Sequence, residues 1–383
     1  MRSSLIARLA VRLGAPTLGA LTALSLLGFT AQAHATADPA GHVYVLENPA
    51  GPNSISTYDR AANGALTYAG TITIGGLGTG NPLGSQGSLT RAGDHLFAVD
   101  GASNQISVVA IHDGALTTVG LYSSRGALPV SVASSDGRLY VVNSGDASDP
   151  ANVAGFTVAD SGALTPIPGA NATLSAALPG PAQVAVSPDG RTLAVTEKNT
   201  NIVDTYRINS DGSLGARHSA PSAGQTPFGF AFIPTQPNRF VVSDASGGVA
   251  GASAVTGYRV SDGGAVVSAG PVADHQTAAC WLVITANGKY AYTANAGSGT
   301  LSGYRIGTDG SLSLLNASGL TASTGVNSHP LEMTFSPSNH DLYVLDAFTH
   351  TLSAFTVGHD GALAPITLSG VTLDAGAVGL AAD

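Results

Sequence analysis

The segment 181–214 reads PAQVAVSPDGRTLAVTEKNTNIVDTYRINSDGSL and is the clearest indication of the fold. It contains three strand-like runs, 183–187, 193–196 and 202–208. The first run is followed by a turn at Pro188-Asp189-Gly190, and the third by Asp211-Gly212. Asp-Gly between apolar runs is a strong hairpin signal, because a tight turn needs residues at positive φ. The segment therefore predicts consecutive antiparallel strands.

The second of these turn patterns recurs seven times along the chain. Its glycines are spaced roughly 50 residues apart, which is typical of propellers and repeat arrays, and they are Gly64, Gly114, Gly162, Gly212, Gly263, Gly310 and Gly361. Each period contains four strand-like segments. The pattern predicts an all-β fold, a seven-bladed β-propeller with four antiparallel strands per blade.

The two ends of the repeat region are complementary. The first repeat begins with its second strand at Val43 and lacks a first strand, whereas the segment 377–381 is a spare strand near the C-terminus. We expect this last strand to complete the first blade and close the ring, which removes exposed strand edges. A β-helix or stacked solenoid is the alternative, and it leaves the spare strand without a partner.

The composition favours a large β-rich protein. Of 383 residues, 44% are hydrophobic, only 10% are charged, and 49 are glycine. This apolar content argues against disorder, and the shortage of charge argues against coiled coils and long surface helices. The net charge of −9 and the absence of a basic cluster argue against nucleic-acid binding.

Residues 1–37 have the pattern of a secretory signal peptide. Arg2, Arg8 and Arg12 precede the apolar stretch 13–30, and small-residue cleavage motifs follow within 31–37. We therefore expect a secreted or periplasmic protein with a single propeller domain, 38–383, and no membrane span after cleavage. An uncleaved membrane anchor is the alternative. The single cysteine, Cys280, excludes an intramolecular disulfide.

The recurring turns also carry a family resemblance. The Ser-Pro-Asp-Gly turn at 187–190, the strand ending Tyr-Val-Val-Asn at 140–143 and the Asp-Gly-x-Leu hairpins resemble those of the lactonase-family propellers. That bacterial and fungal group includes 6-phosphogluconolactonase and carboxymuconate lactonizing enzyme. The resemblance implies lactone chemistry by His, Arg and Glu side chains on inner strands and strand ends.

Only part of that catalytic set is present in this chain. The family's Glu position matches Glu197, but its Arg-His pair falls on Ala182-Gln183, and a further His falls near 130–131. Few cations are expected on the same face, mainly Arg125, Lys198 and Arg217. A phosphorylated substrate prefers a denser arginine clamp, so 6-phosphogluconolactone is rejected as substrate.

The second strands of the repeats share a polar final residue. The face with the second-to-third-strand loops and the blade crossovers is the expected site, because the opposite face carries only short turns. One interpretation is that these residues cap the following loop by accepting its backbone N–H groups. They are Glu47, Asp100, Asn143, Glu197, Asp244, Asn295 and Asp346. The longer Glu47 and Glu197 depart from the pattern, so Glu197 and the adjacent Lys198 are the catalytic candidates.

Inner-strand starts are expected to line the central channel, and they differ from blade to blade. Large and polar groups around a channel mouth predict a ligand site. The predicted ligand-binding residues are Gln86, Arg125, Gln183, Phe228, Cys280, Trp281, His329 and Glu332. The alternative is that Trp281 and Phe228 merely fill the channel and that Cys280 is inert core.

Two functions remain open at this stage. One is hydrolysis of a neutral lactone or ester, with Glu197 as general base or as the residue that positions the attacking water, and Lys198 or Arg125 as electrophilic support. The other is a non-catalytic propeller that binds a small molecule, a carbohydrate or a protein partner. No cofactor is predicted and no metal site is predicted. A Ca²⁺ site at Asp146 and Asp149 is the alternative, but these residues lack a known ligand spacing. The glycine-rich stretch 75–87 is interpreted as a flexible segment at the mouth.

Overall fold

The computed structural model describes residues 39–261 and 264–383. The predicted signal peptide, 1–37, lies outside the described residues, as does the Asp262-Gly263 turn. The described chain forms seven antiparallel sheets arranged as blades, which confirms the predicted seven-bladed propeller. Neither short helical turn, Gly101–Ser103 or Ser246–Gly248, is long enough to cross a membrane, and no other helix occurs in the described ranges.

Each blade contains four strands that pair in order from the channel outward. Blade 1 combines β29 with β1–β3, blade 2 is β4–β7, blade 3 is β8–β11, and blade 4 is β12–β15. Blade 5 is β16–β19, blade 6 is β20–β23 with the extra β24, and blade 7 is β25–β28. The strands are β1 His42–Leu46, β2 Gly51–Arg60, β3 Leu66–Gly78, β4 Leu89–Ala92, β5 His95–Asp100, β6 Gln105–His112, β7 Ala115–Ser123, β8 Pro129–Ser135, β9 Arg138–Asn143, β10 Asn152–Val158, β11 Leu164–Thr173, β12 Pro181–Val186, β13 Thr192–Glu197, β14 Ile202–Ile208, β15 Leu214–Pro221, β16 Pro227–Ile233, β17 Gln236–Asp244, β18 Ala254–Ser261, β19 Gly264–Ala273, β20 Ala279–Ile284, β21 Tyr290–Asn295, β22 Thr300–Ile306, β23 Leu312–Leu314, β24 Ala322–Ser323, β25 Pro330–Phe335, β26 Asp341–Asp346, β27 Thr351–Val357, β28 Leu363–Ile366 and β29 Gly379–Ala382.

The last strand closes the ring as the sequence predicts. β29 pairs antiparallel with β1, with Gly379 opposite Leu46 and Ala382 opposite Val43. The following residue, Asp383, accepts hydrogen bonds from the His42 backbone N–H (2.6 Å) and from the Tyr44 hydroxyl (2.7 Å). Residues more than 300 positions apart in sequence therefore form one blade.

The second strand of each blade is buried on both faces, because neighbouring blades pack against it. Tyrosines on these strands also tie one blade to the next through the recurring hairpins. The hydroxyls of Tyr140, Tyr292 and Tyr343 donate to the carbonyls of Gly212 (2.9 Å), Gly361 (2.8 Å) and Gly64 (2.9 Å), respectively. These glycines have φ between 80° and 88°, the left-handed region that favours glycine. One turn thus serves both the hairpin and the blade interface.

The antiparallel order gives the ring two different faces. The turn face carries the turns between first and second strands and between third and fourth strands. The loop face carries the loops between second and third strands and the crossovers between blades. The channel between these faces is lined by the first strands β29, β4, β8, β12, β16, β20 and β25.

Candidate functional site

The central channel is filled by a short segment of the chain itself, residues 84–88, which we call the channel plug. The sequence predicts that blade 2 starts its inner strand at Gln86, but β4 begins only at Leu89. Gly84 and Gly87 have φ of 61° and 79°, so the chain bends inward before the strand starts. The glycine-rich stretch 75–87 is expected from the sequence to be a flexible segment at the channel mouth. Its last residues, 84–87, belong instead to the structured core.

Gln86 spans the channel from blade 2 to blade 6. Its side chain donates to the Leu282 carbonyl (2.7 Å) and accepts from the Leu282 N–H (2.9 Å). Its own N–H donates to the Ala182 carbonyl of blade 4 (2.9 Å). A Cβ at position 229 would lie 2.0 Å from the Gln86 Oε1, so Gly229 of blade 5 leaves room for this side chain. Gln86 is 6% exposed and acts as a structural cross-link.

Trp281 and Phe228 fill the space beside the plug. The Trp281 indole N–H donates to the Ser85 carbonyl (2.9 Å), and the two aromatic rings lie 4.8 Å apart. Both side chains are buried, at 5% and 6% exposure. The structure brings them together as predicted, but in the arrangement that fills the channel rather than in an open pocket.

The remaining polar side chains of the channel accept hydrogen bonds from backbone N–H groups of the inner strands and of the plug. Channel-lining strands have free edges, and their backbone groups need partners because little water reaches them. Gln183 accepts from the Phe230 N–H of the next blade (2.7 Å), and Glu332 accepts from the Gly87 N–H of the plug (2.8 Å). Burial raises the pKa of Glu332 to about 8. This carboxyl therefore holds its proton at neutral pH.

Lys198 reaches the channel from the loop face. It follows β13, and its ammonium donates to the Gly84 carbonyl of the plug and lies 5.0 Å from the centroid of the Phe228 ring. Burial lowers the pKa of Lys198 to about 8, and the neighbouring Cys280 opposes that shift. The residue as a whole is partly exposed, whereas its amine lies against the plug and the Phe228 ring.

Cys280 and His329 lie at the edge of this region. Cys280 is partly exposed, and burial raises the pKa of its thiol to about 12, which keeps it protonated and unreactive. His329 is half-buried and stacks on the exposed Phe348 ring, with centroids 4.1 Å apart. Burial lowers the pKa of His329, and a hydrogen bond with the Ala296 backbone opposes that shift.

Glu197 occupies a different position from Lys198. It is fully buried, and its carboxylate accepts from the Ser175 N–H (2.9 Å), the Ser175 hydroxyl and the Thr200 hydroxyl (2.5 Å). The buried Asp204 lies beside it, and burial, with the charge of Glu197, raises the pKa of Asp204. These contacts fix the crossover that enters blade 4. The catalytic role of Glu197 stays a prediction.

The other strand-end side chains do not cap the following loop, contrary to the interpretation from sequence. Asp100, Asp244 and Asp346 accept instead from hydroxyls on the third strand of their own blade. Asn295 donates to the Ser302 hydroxyl (2.8 Å), and Asn143 donates to the Ser124 carbonyl (3.1 Å). Asp100 binds Ser107 (2.7 Å), and Asp244 binds Thr256 (2.5 Å). Strand register explains this choice, because each hydroxyl lies two residues beyond the residue directly opposite the carboxylate. Blade 4 has Asp204 at that position, which is why Glu197 has an acidic neighbour.

Arg125 is not brought to the channel. It is exposed and borders a cavity of about 240 Å³ on the outer part of blade 3, between Ala154 and Asn171. No group of three or more His, Cys, Asp or Glu side chains within 39–261 and 264–383 is placed to hold a metal ion. The Asp146 carboxylate accepts from the Ser148 N–H (2.7 Å) and the Asp149 N–H (2.8 Å), so it stabilises a turn.

The larger cavities lie away from the channel. A groove of about 1090 Å³ crosses the turn face between blades 3, 4 and 5, where the sequence suggested little room for a site. A cavity of about 410 Å³ on the loop-face side of blade 1 borders Glu47, Tyr58 and Tyr68. The inward turn of the plug and this groove are the features that sequence reasoning missed. The closely spaced Gly84 and Gly87 were the available signal for the first.

Seven four-stranded blades, with the first completed by the last strand, define a ring-closed seven-bladed β-propeller. The family model described as lactonase, 7-bladed beta-propeller, matches residues 151–251 and 240–377, which together exceed half of the chain. The chain belongs to the lactonase family of seven-bladed β-propellers. The resemblance seen in the turns is thereby confirmed.

Solved structures share this fold at low sequence identity. A putative 6-phosphogluconolactonase from Bacteroides fragilis is 16% identical with a TM-score of 0.70, covering 91% of this chain and 99% of that one. The periplasmic gluconolactonase of Pseudomonas aeruginosa is 16% identical with a TM-score of 0.68, covering 89% and 98%. No curated protein matches the sequence. At this identity the structural likeness shows the fold alone.

Proposed function

We propose that this protein hydrolyses a neutral lactone or ester at the loop-face mouth of the channel, with Lys198 as the general base. The observation that carries this assignment is the position of the Lys198 amine, above the plug and with a pKa lowered to about 8 by burial. A general base works best when its pKa is near the operating pH. A lysine in water, with a pKa near 10, does not meet that condition.

The chemistry follows from the surroundings of the amine. In its neutral form Lys198 accepts a proton from a water molecule as that water attacks the lactone carbonyl carbon. The proton then passes to the departing ring oxygen, which opens the ring to a hydroxy acid. The Phe228 ring and the plug exclude bulk water below the amine, which keeps its pKa low.

The assignment differs from the role expected from the sequence for Glu197. That carboxylate is fully buried beneath the crossover and accepts hydrogen bonds from Ser175 and Thr200. We propose that Glu197 is a positioning residue, which holds the start of the loop that carries Lys198. Family membership supports lactone hydrolysis as the class of reaction, as do the names of the two lactonases that share the fold.

The substrate we propose carries no phosphate or multiple carboxylates. From the sequence, two arginines are expected near this face besides Lys198. One of them, Arg217, donates to the Thr173 carbonyl (2.9 Å) and lies 3.7 Å from the Asp204 carboxylate. Arg125 lies on the outer part of blade 3. One amine beside the channel is a poor clamp for a multiply charged ligand.

Turnover of a panel of neutral lactones and aryl esters by purified protein tests this proposal. Lys198→Met should lower kcat/KM by about 100-fold or more, the usual contribution of a general base. Lys289→Met is the matched control, because Lys289 is the only other lysine of the chain and is exposed on the turn face. The control should leave turnover unchanged. In the wild type, kcat/KM should rise as the pH passes about 8.

Two further variants separate the roles. Lys198→Arg keeps the positive charge but provides no base, so it should be nearly as inactive as Lys198→Met. Full activity in Lys198→Arg would show that the charge matters and would contradict the base assignment. Glu197→Gln should reduce turnover less than Lys198→Met. Absence of turnover from folded wild-type protein would contradict the proposal and favour a ligand-binding propeller, to be examined through Trp281 fluorescence.

A further inference from the structure

The groove on the turn face lies between three blades and opposite to the proposed lactonase site. Its lining comes from the β8–β9 and β12–β13 turns, the end of β14, His218 of β15, the start of β17, the end of β18 and the start of β19. Its volume of about 1090 Å³ is at the upper end of what ligand pockets for single small molecules usually provide. A groove of this size fits an extended ligand.

Two arginines in this groove have no partner within 39–261 and 264–383. Arg191 and Arg207 are both exposed, and neither guanidinium forms an ion pair or a hydrogen bond with those residues. Arginines at the same place on two other third strands have partners, whereas the exposed Arg259 on β18 also lacks one among the described residues. Arg60 lies 3.8 Å from the Asp341 carboxylate, and Arg305 lies over the Tyr290 ring at 5.2 Å. The groove therefore presents two exposed guanidinium groups without a partner among the described residues.

The acidic groups of the groove do not cancel this charge. Asp189 accepts from the Ser187 hydroxyl (2.6 Å) and the Arg191 backbone N–H (3.2 Å), so its carboxylate belongs to the turn. Asp136 is the other carboxylate among the described lining residues, and Arg138 is a third arginine of the lining. Arg138 donates to the Ser210 carbonyl (2.5 Å). With three arginines and two aspartates, the described lining has a net charge of +1 in a chain of net charge −9.

The rest of the lining is neutral and hydrogen-bonding. Amide and hydroxyl side chains occupy much of it, namely Thr192, Thr205, Asn209, Ser210, Asn238 and Ser261. Guanidinium groups recognise carboxylates in a bidentate manner, and amides and hydroxyls suit the hydroxyl groups of sugars. Two exposed guanidinium groups within a large polar groove suit a ligand whose negative charges are widely spaced. A compact phosphate would instead need several donors converging on one point.

We propose that the turn-face groove binds an acidic oligosaccharide, a chain of uronate-type sugars whose carboxylates contact Arg191 and Arg207. The site is separate from the proposed lactonase site and does not depend on it. The sugar hydroxyl groups bind the amide and hydroxyl side chains of the lining. A ligand of several sugar units occupies the length of the groove between blades 3 and 5.

Isothermal titration calorimetry with trigalacturonate as the probe tests this proposal. The expected result is one binding site on the full chain, which the double variant Arg191→Gln/Arg207→Gln weakens by about tenfold or more, as lost charge-assisted hydrogen bonds do. The matched control is Arg259→Gln/Arg305→Gln. Arg259 and Arg305 hold the equivalent places on β18 and β22 and are not part of the groove lining. Thermal unfolding of each variant verifies that the fold is intact.

Four outcomes would overturn the proposal. The first is absence of trigalacturonate binding to the wild type. The second is an equal loss of affinity in the control variant, which would indicate non-specific attraction to the turn face. The third is equal affinity for the same trisaccharide with its carboxylates reduced to alcohols. The fourth is tighter binding of inorganic phosphate than of trigalacturonate. Lactone turnover by the double variant should equal that of the wild type.

Discussion

In the channel of this propeller, single side chains form the hydrogen bonds with backbone groups that a neighbouring strand would otherwise form. Gln86 pairs with both backbone groups of Leu282, as a neighbouring strand would do. Gln183 and Glu332 satisfy further backbone N–H groups in the same region. Polar residues that suggest a ligand site in the sequence are therefore, for the most part, hydrogen-bonding partners of the inner strands.

Gln86→Ala should destabilise the protein by about 3 kcal/mol, because two buried backbone groups of Leu282 lose their partners at about 1–3 kcal/mol each. Urea unfolding measures the change. Gln105→Ala is the control, since Gln105 is partly exposed and its side chain makes no hydrogen bond with the described residues. Equal stability of the two variants would show that the plug adds nothing to the fold.

At the scale of elements, the closing strand decides whether the ring is complete. β29 pairs with β1, and Asp383 continues the contact through His42 and Tyr44. The Asp383 carboxylate also lies 2.9 Å from His42 Nδ1. Burial opposes ionisation of Asp383, but the hydrogen bonds from Tyr44 and His42 prevail and lower its pKa.

Asp383→Ala should cost about 2 kcal/mol of stability at pH 7, since it removes hydrogen bonds to a charged group. A carboxyl with a lowered pKa stabilises the folded state above its ordinary pKa near 4, and that contribution is lost as the pH falls through the lowered value. The difference from wild type should therefore shrink below about pH 4. Denaturant unfolding at pH 7 and pH 3 measures it. Asp160→Ala, at an exposed position, should change little at either pH.

At the scale of the whole molecule, the blades share a set of buried carboxyl groups near the loop face. Burial raises the pKa of Asp100 to about 6, of Asp244 and Asp346 to about 7, and of Glu332 to about 8. Asp244 and Asp346 each have one carboxyl oxygen without a hydrogen-bond partner among the described residues. These groups keep their protons in the folded state at pH values where the unfolded chain has lost them.

The protein should therefore be more stable near pH 5 than near pH 8. A carboxyl with a raised pKa stabilises fully below its unfolded value near 4, and stability declines as the pH rises through the folded value. Calorimetry at pH 6 should show proton release on unfolding, seen as a dependence of the enthalpy on buffer ionisation heat. Asp244→Asn should flatten the pH profile, whereas Asp160→Asn should not. A Tm that rises from pH 5 to pH 8 would contradict this account.

The architecture of the protein follows from local features of its amino-acid sequence. The Asp-Gly turns, the buried second strands and the spare strand near the C-terminus together predicted seven blades and the closed ring. These features depend on backbone conformation and on burial within one repeat, so neighbouring residues are enough to encode them. The turn motifs also indicated the lactonase family, which the family model confirms.

The contents of the channel and the positions of the grooves depend on contacts between blades, which are seen in the tertiary structure alone. Gln86 and Leu282 are 196 positions apart in sequence, and no local pattern records that they meet. The turn-face groove likewise combines residues from three blades, and the sequence of each single repeat gives no sign of the groove. A repeat specifies its own strands through short-range turn chemistry, whereas a site arises from side chains that different repeats bring to the same place.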